Sequence, residues 1–243
     1  MKTLVIIPTY NEIESLPRQV AGVRLVAPDA DILVVDDGSP DGTGEWAETF
    51  ANSDDHVYIL HRQEKQGLGV AYRTGFAWAL ERNYEVIVEM DADGSHRAQD
   101  LPLLLAEAGD HDLVIGSRWV RGGRVENWPF HRKFLSTNAN RYVRLALGIK
   151  VKDATAGFRA YSAATLRQLD LAAVESQGYC FQVDMTWRTL LAGGSVAEVP
   201  ITFVERDLGA SKMSGAIIRE ALTKVTLWGF QRLWRKVFRL RRS

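Results

Sequence analysis

Short apolar runs rich in β-branched residues recur through the first half of the chain: TLVIIP (3–8), DILVVD (31–36), HVYILH (56–61), EVIVEM (85–90) and HDLVIG (111–116). Each is too short for a buried helix and apolar on both faces, which reads as a fully covered strand. The segments between them carry helical periodicity. Strands alternating with helices predict an α/β fold, a mostly parallel sheet covered by helices. Asn11 followed by Glu14 has the spacing of a capping box for the first helix, and Thr43 is placed to cap the second. Beyond the last run, RWVRGGRVENWPFHRK (118–133) lacks periodicity and predicts a mobile loop. A helix near 134–147, a turn at DATAGFRAYS (153–162), a helix over 178–194 and a strand over 195–206 follow.

In an open parallel sheet, ligands bind beyond the carboxyl ends of the strands. The unusual polar residues fall there: Pro8 to Glu12 after the first strand, Asp36 to Ser39 after the second, Asp91-Ala92-Asp93 after the fourth, and Gly116-Ser117-Arg118 after the fifth. Residues two apart on an extended chain point the same way, so Asp91 and Asp93 face one point in space. Two carboxylates there suit a hard divalent cation, Mg²⁺ or Mn²⁺, whose shell a nucleoside diphosphate would complete. A pair of solvated loop acids or a helix cap is the plainer alternative. The VVDDGSPDGT stretch (34–43) is a turn former whose carboxylates could also hold a ribose or a base edge. Arg118, Arg132, Arg206 and Lys212 lie in predicted loops, where they are candidates to clamp phosphates.

Composition narrows the partners. The chain has 243 residues, 46% of them hydrophobic, and a single cysteine, Cys180, which excludes an internal disulfide framework and suits a reducing, cytoplasmic setting. No run of about 18 uncharged apolar residues is present, so neither a membrane span nor a signal peptide is expected. A net charge of zero hides an asymmetry: residues 211–243 carry nine Lys/Arg against one acid, Glu220, while the remainder carries 21 basic and 29 acidic side chains. At about 100° per residue, Phe230, Leu233, Trp234, Val237, Phe238 and Leu240 share one arc and Arg232, Arg235, Lys236, Arg239 and Arg242 the opposite one. Ile217, Ile218, Ala221, Leu222, Val225 and Trp228 define a differently oriented face, so the helix turns a new side outward near Gly229. Residues 1–212 are therefore expected to form the body and 213–243 a basic amphipathic helix, docked at its start and lying on an anionic membrane surface beyond. Nucleic acid suits this tail less well than lipid does, because the body is acidic and the face carries Trp, Phe and Leu.

Several chemistries find no support. QGLGVAYRTG (66–75) lacks the third glycine of a dinucleotide fingerprint and follows the wrong strand; it reads as a tight strand-to-helix turn. No HxxxH or HxH spacing favours zinc, and no GxSxG elbow or Ser-His-Asp set is present.

Taken in order, IIPTYNE, VVDDGSPDGT, QGLGVAYRTGF, MDADGSH, LVIGSRW, DATAGFRAY, GYCFQVDM and EVPITFVERDLGASKM resemble family 2 glycosyltransferases of GT-A fold, specifically the polyprenol (dolichol) monophosphate mannose synthases, from Val5 to about Met213. The resemblance implies transfer of mannose from GDP-mannose to a polyprenyl monophosphate with inversion, on the cytoplasmic face of the membrane, with a membrane-anchoring protein as a possible partner. It assigns Pro8, Tyr10, Glu12, Val35 and Asp37 to the nucleoside and Asp91, Ala92 and Asp93 to the diphosphate and its metal. Arg118, Arg132, Arg206 and Lys212 would hold donor or acceptor phosphate, and Asp93, Arg118, Arg132 and Arg206 would carry the reaction. Where many relatives have Leu-Gln after the acidic pair, this chain has Gly94-Ser95, which leaves Ser95 or a water as the further metal ligand. Asp184 stands where enzymes acting on hydroxyl acceptors place a base; here an orienting role is expected. A UDP-glucose-dependent synthase, a sugar nucleotidyltransferase and a non-catalytic nucleotide sensor are the competing readings.

Overall fold

A computed structural model describes residues 1–176, 178–205 and 215–240, the last without the side chains of 215–218 and 235–240. Its frame is a seven-stranded sheet in the order β3-β2-β1-β4-β7-β5-β8. The strands are β1 (Thr3–Thr9), β2 (Asp31–Asp36), β3 (Val57–His61), β4 (Val86–Glu89), β5 (Leu113–Ser117), β7 (Arg159–Ser162) and β8 (Val196–Pro200). All expected runs became strands, paired in parallel from β3 through β4. β7 is the exception: it runs antiparallel to both β4 and β5. The sequence reading assigned its residues to a turn, because four strand residues after DATAGF carry too little periodicity to stand out.

Side-chain alternation divides the core in two. Leu4, Ile6, Leu33, Val35, Ile87, Leu113 and Ile115 face one layer of helices. That layer contains α3 (Leu68–Glu81), α5 (Phe130–Leu147), α6 (Ala163–Gln168), α7 (Gly178–Leu191) and α8 (Gly215–Leu240). Val5, Ile7, Ile32, Val34, Val86, Val88 and Val114 face the other, made by α1 (Leu16–Val26), α2 (Thr43–Ala51) and α4 (Leu101–Glu107). Burial on both faces is why these strands read as unbroken apolar runs. Gly69 and Gly75 lie inside α3 rather than in the expected strand-to-helix turn, and they serve close packing: a Cβ on Gly75 would lie 2.8 Å from Ile6, and one on Gly69 2.9 Å from Phe181.

Three local expectations are corrected. Asn11 is not a helix cap; it adopts φ 58°, and α1 begins later, at Leu16 after Ser15. Thr43 is the first residue of α2 rather than its cap, and its hydroxyl instead accepts from the Glu12 N–H at 3.0 Å. The 118–133 stretch is not a simple loop: it contains β6 (Arg124–Glu126), which pairs in parallel with β9 (Thr202–Val204), and α5 starts within it at Phe130. The expected strand over 195–206 is split into β8 and β9 at Ile201, each joining a different sheet.

α8 packs on the body through its middle; of the face expected to dock, Ile217 and Ile218 lie outside the described side chains and Leu222 is half exposed. Val225 is fully buried, Tyr142 Oη and Thr226 Oγ1 lie 2.6 Å apart, and a Cβ on Gly229 would come within 3.0 Å of the Ala146 carbonyl of α5. Past that contact Phe230, Leu233 and Trp234 are more than half exposed. Arg232, on the basic arc, packs against the body: its guanidinium lies over Gly148, at the end of α5. No helix among the described residues is long and apolar enough to cross a membrane.

Candidate active site

The chain proceeds from β1 outward to β3 and then returns to the other side of β1 with β4, which opens a crevice where the strand order reverses. A cavity of about 350 Å³ occupies it, bordered by Pro8, Tyr10, Glu12, Asp37, Asp91, Ala92, Asp93, Ser95, Arg118 and Arg132 together. Val35 is not among these residues; its side chain is wholly buried in the core of β2. Arg206 and Lys212 lie outside the described residues.

At the β1–β2 end, Thr9 Oγ1 donates to Asp36 Oδ1 at 2.9 Å, tying the two strand ends together. Asp37 receives Arg62 Nη1 at 2.6 Å. Burial nonetheless pushes the Asp37 carboxyl above its usual range, outweighing Arg62. The Lys65 ammonium sits 3.9 Å above the Tyr10 ring, which holds that aromatic face at the rim.

After β4 the chain enters the acidic pair through a tight turn, with Gly94 at φ 76°. The Asp91 N–H donates to His96 Nδ1 at 3.0 Å, and the imidazole is stacked on Phe158. His96, left unassigned by sequence, is thus a brace for the turn. Ser95 donates both its N–H (3.0 Å) and its hydroxyl (2.6 Å) to Asp93 Oδ1 and is almost fully buried. Those two bonds hold Asp93 in place.

No group of three or more His, Cys, Asp or Glu among the described residues is arranged to hold a metal. Of the expected ligands, the carboxylates Asp91 and Asp93 both border the crevice, with Ser95 bonded to the second. That pair fits a hard divalent ion that takes one or two carboxylates and completes its shell with phosphate oxygens and water.

A buried layer lies beneath. Tyr72 Oη donates to Asp91 Oδ1 at 3.4 Å, and burial together with that carboxylate raises the phenol well above its ordinary value. Glu89 receives Gln182 Nε2 at 2.8 Å; burial pushes its carboxyl up to about 8 despite the nearby Arg159. Arg159, wholly buried, donates to the carbonyls of Ala154, Ala156 and Gln182 and to Thr186.

Arg118 enters the site already held. Its Nε and Nη2 form a bidentate pair with Asp153 at 2.8 and 2.7 Å, its backbone N–H donates to the same carboxylate, and its side chain is 4% exposed. Burial alone would lower the guanidinium pKa, but Asp153 raises it, so the cation is fixed. Arg132 donates to Glu205 and lies 4.4 Å from the centre of the Trp128 ring. Asp184 does not border the crevice: it accepts from Ser176 Oγ and Arg188 Nε and joins α7 to the chain before it. Gln182, two residues earlier on the other side of α7, does border it. Sequence reasoning missed Asp153, Gln182 and Glu205; nothing marks them except blocks already noted for other residues.

A second cavity of about 330 Å³ adjoins the first and shares Arg118, Arg132, Thr155 and Tyr179 with it. Its remaining wall is mostly apolar: Trp128 just before α5, and Leu135, Ala139, Val143, Val183, Ala221, Leu222 and Val225 from α5, α7 and α8.

An open α/β sheet with carboxylates and arginines converging at its switch point defines a nucleotide-binding class of enzyme. The backbone resembles glucosyl-3-phosphoglycerate synthase of Mycobacterium tuberculosis, solved with Mn²⁺, UDP-glucose and phosphoglyceric acid, with a TM-score of 0.69 at 19% identity over 94% of this chain and 79% of that one. That likeness shows the fold. Residues 4–170 match the profile of glycosyl transferase family 2, and the chain belongs to that family. It is 58% identical to an undecaprenyl-phosphate mannosyltransferase of Micrococcus luteus, over 96% of each chain. It is also 57% identical to a polyprenol monophosphomannose synthase of Mycolicibacterium smegmatis, over 95% of this chain and 88% of the relative.

Proposed function

We propose that this chain transfers mannose from GDP-mannose to a polyprenyl monophosphate, with inversion at the anomeric carbon and with Mg²⁺ or Mn²⁺ held by Asp91 and Asp93. The relatives' names supply the sugar and the acceptor class. The observation that carries the reading is the pair of adjoining cavities, one bordered by many charged side chains and one almost wholly apolar, with Arg118 and Arg132 at their junction. A phosphate on a hydrocarbon tail needs that arrangement: cations where two polar groups meet and an apolar passage leading away.

The nucleoside lies toward Pro8, Tyr10, Glu12 and Asp37, and the diphosphate at the acidic turn. When bound, the metal neutralises charge on the departing diphosphate. The acceptor needs little help from a general base. A phosphate monoester has a second pKa of about 6 and is mostly dianionic at neutral pH. The protein's task is to bring two anions together, and Arg118, pinned by Asp153, supplies fixed positive charge without reorganisation. The catalytic body is the part of the chain before α8, and α8 meets the membrane, with Phe230, Leu233 and Trp234 turned outward.

The test is transfer of radiolabelled mannose from GDP-mannose into a polyprenyl phosphate in detergent. Organic-soluble label lost with EDTA and with Asp93→Ala supports donor, acceptor and metal together. Activity from UDP-glucose alone would overturn the donor; label unaffected by EDTA would overturn the metal.

A further inference from the structure

Arg132 is not presented to an acceptor as an open cation. Its guanidinium donates to Glu205 Oε1 above the Trp128 ring, and both charged side chains border the polar crevice. Glu205 directly follows β9, and its backbone N–H donates to the Glu126 carbonyl of β6 at 3.1 Å. Its second oxygen, Oε2, is cut off from solvent and has no hydrogen-bond partner among the described residues. A carboxylate with half its acceptors unused is held weakly for its burial, and it occupies the arginine that the acceptor phosphate would need.

The reaction changes the charge at this arginine. An acceptor phosphate oxygen bonds to the anomeric carbon as the bond from that carbon to the donor's diphosphate oxygen breaks, the electron pair leaving with the nucleoside diphosphate. No proton is transferred. The acceptor goes from a dianionic monoester to a monoanionic diester, and the nucleotide gains the charge the acceptor loses. We infer that Glu205 is a place-holding carboxylate: it yields Arg132 to the dianionic acceptor and reclaims it from the monoanionic product, so that the change in charge releases the mannosyl lipid. Glu205 is on this view a positioning residue acting through Arg132, and the inference rests on the acceptor reading above.

The experiment compares full-length wild type, Glu205→Gln and Glu205→Asp with GDP-mannose and a short polyprenyl monophosphate. Glu205→Gln is expected to lower the acceptor KM about tenfold and to strengthen inhibition by the mannosyl lipid by a similar factor, the scale of losing one charged competitor. A burst of one turnover should precede a slower steady rate. Glu205→Asp should restore wild-type behaviour, and inhibition by GDP should be the same in all three. An acceptor KM that is unchanged or raised, with kcat reduced and no burst, would mean that Glu205 merely supports Arg132 and would overturn the inference. Wild type that makes no mannosyl lipid would instead strike the acceptor reading itself.

Discussion

If the apolar cavity receives the polyprenyl chain, affinity must depend on chain length in a way that its size dictates. Filling a cavity yields about 24 cal/mol per Å³, so a volume of 330 Å³ corresponds to roughly 8 kcal/mol at most. A buried methylene contributes about 0.8 kcal/mol, so that sum equals about ten methylenes, or two five-carbon isoprene units. With acceptors short enough to be monomeric in water, KM should fall steeply from one unit to two and level off by the third or fourth. The observed gain should be well below 8 kcal/mol, because the cavity is open at its mouth and the bound chain loses freedom. Long acceptors in micelles should show little of the effect, since their chains leave one apolar phase for another. Ala139→Trp, which projects a ring into the cavity, should abolish the step between one and two units and leave inhibition by GDP unchanged. A KM indifferent to the second unit, or one that keeps falling as steeply past the fourth, would refute the placement.

Other perturbations separate the remaining parts of the site. Between pH 4.5 and about 8 the folded chain retains a proton on Glu89 that the unfolded chain has lost. Stability should therefore decline across that window, by at most a few kcal/mol. Glu89→Gln should flatten the profile in urea unfolding from pH 5 to 9, and an unaltered slope would count against the neutral carboxyl. Asp153→Ala strands the buried Arg118 cation and should cost about 3 to 5 kcal/mol, read as a fall in the urea midpoint, with mannosyl transfer reduced even where the protein stays folded. Replacing Leu233 and Trp234 by Ser should weaken sedimentation with anionic vesicles while the rate on a short soluble acceptor stays at wild type; equal loss of both would mean that this helix face serves the body instead.

The sheet was legible because parallel strands covered on both faces leave runs that hardly any other structure produces, and the strand ends could then be located without knowing their order. Asp91 and Asp93, Tyr10 and Asp37 stood out for the same reason: polar residues that interrupt such runs have few places to be. What escaped was decided by contacts across the chain. β7 takes its conformation from β4 and β5 rather than from a pattern of its own, and β6 exists only as the partner of β9. Asp153 lies 35 residues from the arginine it fixes and Glu205 lies 73 from Arg132, so neither carboxylate's role was visible locally. Asp184 is singled out by the resemblance, as standing where relatives place a base, while nothing in the sequence marks the uncharged Gln182 on the crevice side of the same helix.

These missed residues share a consequence. Arg118 and Arg132 both carry positive charge at the junction of the cavities, yet their partners hold them differently. Asp153 is fully buried and makes a two-oxygen pair with Arg118, with Thr155 beside it. Removing that carboxylate would leave an unpaired charge, so the contact is constant through turnover. Glu205 offers Arg132 one oxygen and keeps its other buried without a partner, so the pair is less completely satisfied than Asp153 with Arg118, and on the inference above an incoming anion takes its place. One arginine thus supplies a permanent field and the other an exchangeable contact. An enzyme that must attract a second anion beside a first, and then let the product go, has use for both.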